Sequence, residues 1–149
     1  MQVATPEFKQ RLREAFDALH VGQTFTFRRT FTGGDVALFC GVTGDYNPYH
    51  QDESFAEESP YGRPTIPGLL TGSMLTHIGG LLGFLATEMT FRYLGPVFVG
   101  DTITCTVTIA EKDEEERRIE ASAEFVNQEG AEVLRASFGG FPGRVRLAR

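Results

Sequence analysis

The run Ile66–Ala86, IPGLLTGSMLTHIGGLLGFLA, holds no Asp, Glu, Lys or Arg across 21 residues. Its length and apolarity admit a membrane span. Ser73, His77, Thr71, Thr76, five glycines and the leading Pro67-Gly68 oppose one, and no basic flank sets an orientation. The stretch therefore reads as a helix that is apolar on all sides and buried inside a globular protein. Gly68/Gly72 and Gly79/Gly83 each stand four apart, a spacing that lets a neighbouring element approach closely. His77 on this helix is expected to be a satisfied core histidine, and Phe84 and Met89 near its end are expected in the core as well.

Downstream of this helix the period changes from helical to two. Ile103, Cys105, Val107 and Ile109 alternate with Thr102, Thr104, Thr106 and Thr108, as a half-buried strand requires. Ile119, Ala121, Ala123 and Phe125 alternate with Glu120, Ser122 and Glu124 in the same way. The eight charged residues Glu111–Arg118 between these runs suit a solvated hairpin loop. Asn127–Gly130 turns the chain into a last strand, Ala131–Phe141.

Upstream, Pro6–Leu19 carries Phe8, Leu12, Phe16 and Leu19 at helical spacing and predicts a short amphipathic helix lying as a surface appendage. Gln23–Phe31 alternates as a strand, and Asp35 is placed to cap a helix running to about Gly41. Thr43–Pro67, with four of the seven prolines, reads as loop. A long apolar helix wrapped by a curved antiparallel sheet accounts for both kinds of pattern, which makes an α+β single domain. The expected division is an N-terminal helical extension over residues 1–21 and the domain proper over 22–149.

The chain has 149 residues, enough to bury about two-thirds of its unfolded surface without disulfide or metal. With 14 Lys+Arg against 20 Asp+Glu its formal charge is −6, a balance that argues against nonspecific nucleic-acid binding. Cys40 and Cys105, each in apolar surroundings, are expected as buried thiols of a reducing compartment. The N-terminus lacks a secretory pattern, so a cytoplasmic location is expected.

The chemistry concentrates in Gly41–His50, GVTGDYNPYH, where Asp45 and His50 stand five apart on a loop stiffened by Pro48, with Asn47 between them. A carboxylate and an imidazole so placed can converge on one small molecule. The competing reading is a turn aspartate and an ordinary surface histidine. Metal readings fail: a calcium loop would need Gly at the position of His50 and Glu at that of Ala56, and no His or Cys pair has zinc spacing. There is no GxSxG, GxGxxG or P-loop.

Gly44-Asp45-Tyr46-Asn47-Pro48-Tyr49-His50, followed by five residues and Ala56, resembles the hydratase motif of the MaoC-like dehydratases and (R)-specific enoyl-CoA hydratases. Gly62–Leu70, GRPTIPGLL, resembles that family's approach to its central helix. Phe91–Val97 with Gly100-Asp101-Thr102 resembles the strand pair after it. The likeness covers residues 22–141.

The resemblance implies a hot-dog fold, a homodimer or larger assembly, and reversible hydration of a trans-2-enoyl thioester to the (R)-3-hydroxyacyl thioester with no metal or redox cofactor. It implies that Asp45 and His50 share the attacking water and that a backbone N–H at Gly68 stabilises the thioester oxygen. Asn47 and Thr76 would support the site. Arg63 and Arg92 would meet the anionic end of coenzyme A or of an acyl carrier protein thioester. Many members carry His before the glycine where this chain has Pro67, which leaves only the backbone amide available there. A hot-dog acyl-thioesterase and a non-catalytic acyl-binding or assembly module are the alternative functions.

Overall fold

The computed structural model describes residues 1–146. Five strands, β1 (Thr24–Thr30), β2 (Leu85–Tyr93), β3 (Thr102–Asp113), β4 (Arg118–Val126) and β5 (Glu132–Phe141), form one antiparallel sheet in the order β1-β3-β4-β5-β2. The period-two pattern decides which face is which. Ile103, Cys105, Val107 and Ile109 of β3 and Ile119, Ala123 and Phe125 of β4 are essentially fully buried, while their threonine, serine and glutamate neighbours take the outer face. Burial pushes the Cys105 thiol up to about 12, so it stays protonated and inert.

The hairpin between β3 and β4 is shorter than the charge run suggests. Glu111–Asp113 and Arg118 belong to the strands, and only residues 114–117 turn. Arg118 donates to Glu88 and Thr87 and so ties β4 across to the edge strand β2.

The apolar run forms the central helix, but in two pieces, α5 (Gly68–Gly72) and α6 (Leu75–Leu82). At the join, Met74 N–H bonds Thr71 O and Thr76 N–H bonds Ser73 O, the tighter i→i+3 pattern. The Ser73 and Thr76 hydroxyls reinforce it by donating to Leu70 O and Ser73 O. Gly83, at φ +54°, closes α6 in the left-handed conformation and lets the chain enter β2.

Burial of this helix is one-sided. Met74, Leu75, Ile78 and Leu82 enter the core, whereas Leu69 is 58% exposed. His77 is therefore not a core histidine: it is exposed and its ring stacks on Phe27 at 3.9 Å. Met89 is also exposed, on a strand that has no neighbour on its outer edge among the described residues; Phe84 is half-buried, edge-on to Phe138. A Cβ at Gly68 would lie 2.5 Å from the Tyr93 ring and one at Gly72 would lie 2.9 Å from the Phe91 ring, so this glycine pair does permit a close approach. Gly79 faces open space.

Two expectations near the N-terminus change. Helix α1 (Pro6–Asp17) starts exposed, but its end is anchored in the core through Phe16 and Leu19. Lys112 lies over the Phe16 ring and donates to the Phe16 and Leu19 carbonyls at 2.9 and 2.8 Å, meeting the unpaired carbonyls of the helix end. The cap of α2 (Gly33–Thr43) is Thr32, not Asp35; Asp35 is the third helical residue, and its carboxylate accepts a hydrogen bond from the Thr32 amide. Within the loop-rich stretch the chain forms α3 (Pro48–Gln51) and α4 (Glu53–Glu58).

Candidate active site

The loop that leaves α2 is built by its own side chains. Gly44, at φ +72°, ends the helix, and the Thr43 hydroxyl accepts the Asp45 amide at 3.2 Å. Asp45 Oδ1 accepts the Asn47 amide at 3.3 Å, and Asn47 Oδ1 accepts the Tyr49 amide at 3.1 Å, capping α3. Pro48 at the first helical position holds the backbone angle. His50 thus stands on a one-turn helix rather than in open loop, and its position relative to Asp45 is set by short-range bonds. Asn47 acts by shaping this turn.

His50 is oriented by the segment leading into α5. Its Nδ1 lies 2.6 Å from the Thr65 carbonyl oxygen and 3.3 Å from the Thr65 hydroxyl. A carbonyl can only accept, so Nδ1 carries the hydrogen and, in the neutral ring, Nε2 presents its lone pair. Thr65 is itself pinned from both sides: its amide bonds Tyr49 O at 3.0 Å, it bridges to Phe98, and the next amide, Ile66 N–H, bonds Val97 O at 2.8 Å.

The free Nε2 points towards Asp45 Oδ2 at 3.9 Å. That separation is too long for a direct hydrogen bond and suits a bridging water. The His50 side chain is 14% exposed and that of Asp45 is 36%, so one end of the pair is sheltered and the other meets solvent.

His50 and Gly68 line one cleft of about 370 Å³ together with Thr65, Tyr61, Tyr93 and the 94–97 turn. Gly68 is the first residue of α5, where backbone amides have no partner within the helix. Tyr93 packs its ring over Gly68, and desolvation raises the phenol above its ordinary range, so it remains a neutral hydroxyl.

The other expected residues lie elsewhere. Arg63 stacks on the Phe98 ring at 3.9 Å in an adjacent cleft that shares Leu94, Gly95 and Pro96 with the first. Arg92 pairs in register with Arg135 on β5 and does not line the His50 cleft. Thr76 lines a separate groove on α6. Thr65 and Tyr93 were missed in the sequence because one acts through its backbone carbonyl and the other through a cross-element contact. Among the described residues no group of three or more His, Cys, Asp or Glu is disposed to hold a metal, and no helix is long and apolar enough to cross a membrane.

Residues 17–130 match the family described as MaoC like domain. The 3-hydroxybutyryl-CoA dehydratase of Methylorubrum extorquens is 33% identical over 107 residues, covering 69% of this chain and 68% of that protein. The (R)-specific enoyl-CoA hydratase of Aeromonas caviae is 31% identical over 123 residues, covering 76% of this chain and 88% of that protein. Among solved structures, the unliganded R-hydratase PhaJ1 of Pseudomonas aeruginosa superposes with a TM-score of 0.80 at 25% identity, covering 90% of this chain and 91% of the other.

Proposed function

The chain belongs to the MaoC-like domain family and shares the hot-dog fold of its hydratase and dehydratase members, and from that premise we propose that it is a hydro-lyase converting trans-2-enoyl-CoA reversibly to (R)-3-hydroxyacyl-CoA. The observation that carries this reading is the His50 Nε2 lone pair facing the Asp45 carboxylate at 3.9 Å with Nδ1 bonded to a backbone carbonyl. Two acceptors at that separation hold both hydrogens of a single water and leave its oxygen lone pairs free for carbon.

In the proposed reaction this water attacks C3 of the enoyl thioester while His50 Nε2 takes one of its protons. The electron pair of the double bond moves onto the thioester oxygen, where the Gly68 amide at the start of α5 donates to the developing charge. The Asp45 carboxylate keeps the second hydrogen bond and stabilises the imidazolium. His50 then returns the proton to C2 on the same face, so water has been added across the bond and no electron has left the substrate. The reaction needs neither metal nor redox cofactor, since coenzyme A is part of the substrate. An acyl carrier protein thioester has the same reacting atoms and is the alternative donor.

Support for a homodimer comes from β2, which is one of the two edge strands of the sheet and is exposed almost throughout, with Leu85 at 74%. A second copy of the chain would cover it. Arg63, just beyond the Leu94–Pro96 wall, and Arg92 are the cations proposed to meet the nucleotide end of coenzyme A. A cytoplasmic location completes the reading.

The test is loss of enoyl absorbance when the protein meets crotonyl-CoA, with product configuration determined. D45N and H50A are expected to lower kcat/KM by about 10²–10⁴ each while retaining native circular dichroism. Release of free thiol without hydration would instead identify a thioesterase.

A further inference from the structure

A groove of about 520 Å³ opens between β1, α2 and the central helix. Its apolar walls come from Phe27, Leu38, Phe39, Val42, Leu70 and Met74. It adjoins the candidate site through the chain on two sides. Val42 stands three residues before Asp45, and Leu70 and Ser73 follow Gly68 on and just past α5. About one to two helical turns of chain therefore separate the walls of this groove from Asp45 and from Gly68.

The polar groups of the groove are nearly all engaged elsewhere. Arg29 pairs with Asp35, and Asp35 also bonds the Thr32 amide. The Ser73 and Thr76 hydroxyls donate to helix carbonyls. His77 differs: it stacks flat on Phe27, at 3.9 Å and 13° between planes, and its ring nitrogens have no hydrogen-bond partner among the described residues. Stacking fixes the plane of the imidazole and leaves its edge, which carries both nitrogens, free for a ligand.

We propose that His77 is a specificity-determining residue: the groove takes the substrate's acyl chain, and the imidazole edge selects chains that carry a hydrogen-bonding oxygen beyond the reacting double bond. This inference rests on the hydratase reading for its choice of occupant. A purely aliphatic chain would fill the apolar walls and leave the imidazole desolvated and unpaired, which is the discriminating cost.

The experiment compares kcat/KM for 2-enoyl-CoA substrates of six, eight and ten carbons with their ω-hydroxylated counterparts, in the native protein and in H77F and H77Q. At the length that reaches His77 the native protein should favour the hydroxylated substrate by about tenfold, the value of one satisfied hydrogen bond. H77F preserves the aromatic stack and should bring the ratio to near one; H77Q, which keeps a donor and an acceptor, should restore part of it. A ratio near one at all three lengths in the native protein overturns the proposal, as does a preference that survives in H77F. If H77F shifts the sedimentation behaviour and leaves the ratio unchanged, the groove is a contact between copies and the proposal also falls. Failure of the hydratase reading looks different, because then no substrate of either series is hydrated. In that case the His77 imidazole NMR signals decide: a shift with the ω-hydroxylated thioester that its plain counterpart does not cause keeps the groove's selectivity, and equal responses remove it.

Discussion

Among single residues, Thr71 stands out for what it lacks. It lies on α5 at 2% exposure, and its hydroxyl oxygen has no hydrogen-bond partner among the described residues. A buried hydroxyl without a partner forfeits its hydration for nothing in return, whereas valine has the same shape without that demand. T71V is expected to raise unfolding stability by about 1 kcal/mol, read as a higher urea midpoint at unchanged slope. A lowered midpoint would mean that the hydroxyl is paired in solution. His50 shows the opposite case. One ring nitrogen is held by the Thr65 carbonyl, and that single bond decides which face of the imidazole is available for chemistry. Asp45 and His50 were legible in the sequence because their spacing is local. The Thr65 carbonyl was not, since a backbone oxygen carries no residue signature, and its approach depends on bonds to Tyr49 and to Val97.

At the scale of elements, α2 illustrates how a short helix is fixed at one end. Thr32 caps it, and Asp35 completes the reciprocal pair. The Thr32 backbone N–H is the main influence holding the Asp35 carboxyl below its ordinary value of 3.8, assisted by the Thr32 hydroxyl and Arg29. A lowered pKa in the folded state means that folding favours the ionised form. The stabilisation is therefore complete above the ordinary value and disappears as pH falls through the folded one. D35N should lower stability at pH 7, and in paired urea titrations the gap to the native protein should narrow as pH falls below the ordinary carboxylate value and Asp35 protonates in the folded state. An undiminished gap in acid would show that geometry rather than charge carries the cap. The central helix teaches a related point. Its apolar run marked an unusual helix correctly, but the break at Ser73–Met74 and the outward turn of His77 and Leu69 follow from side-chain bonds to carbonyls and from one-sided packing. Composition alone reports neither, so apolarity overstates the burial of this helix.

For the whole molecule the open question is what covers β2. Its outer edge is unpaired among the described residues, and Leu85 and Met89 stand exposed at 74% and 43%. Replacing both with acidic residues, as in L85E/M89E, leaves the buried core untouched and places like charges, beside Glu88, where a second copy would sit. The proposed dimer should then sediment as a monomer with native circular dichroism. A native protein that already sediments as a monomer, or a variant that stays dimeric, would move the interface away from β2.

The sequence by itself determined the α+β class, the face of each period-two strand, the loop that carries Asp45 and His50, and the glycine pair that admits Tyr93 and Phe91. These are properties of spacing within a few residues, where chain geometry leaves little choice. Tertiary structure alone decided the His50 tautomer, the pairing of His50 with Gly68 in one cleft, the placement of Arg63 and Arg92 outside it, and the exposure of His77. Each of these depends on which distant segments meet. That is settled by the packing of the whole sheet against the helix, so no local pattern encodes it.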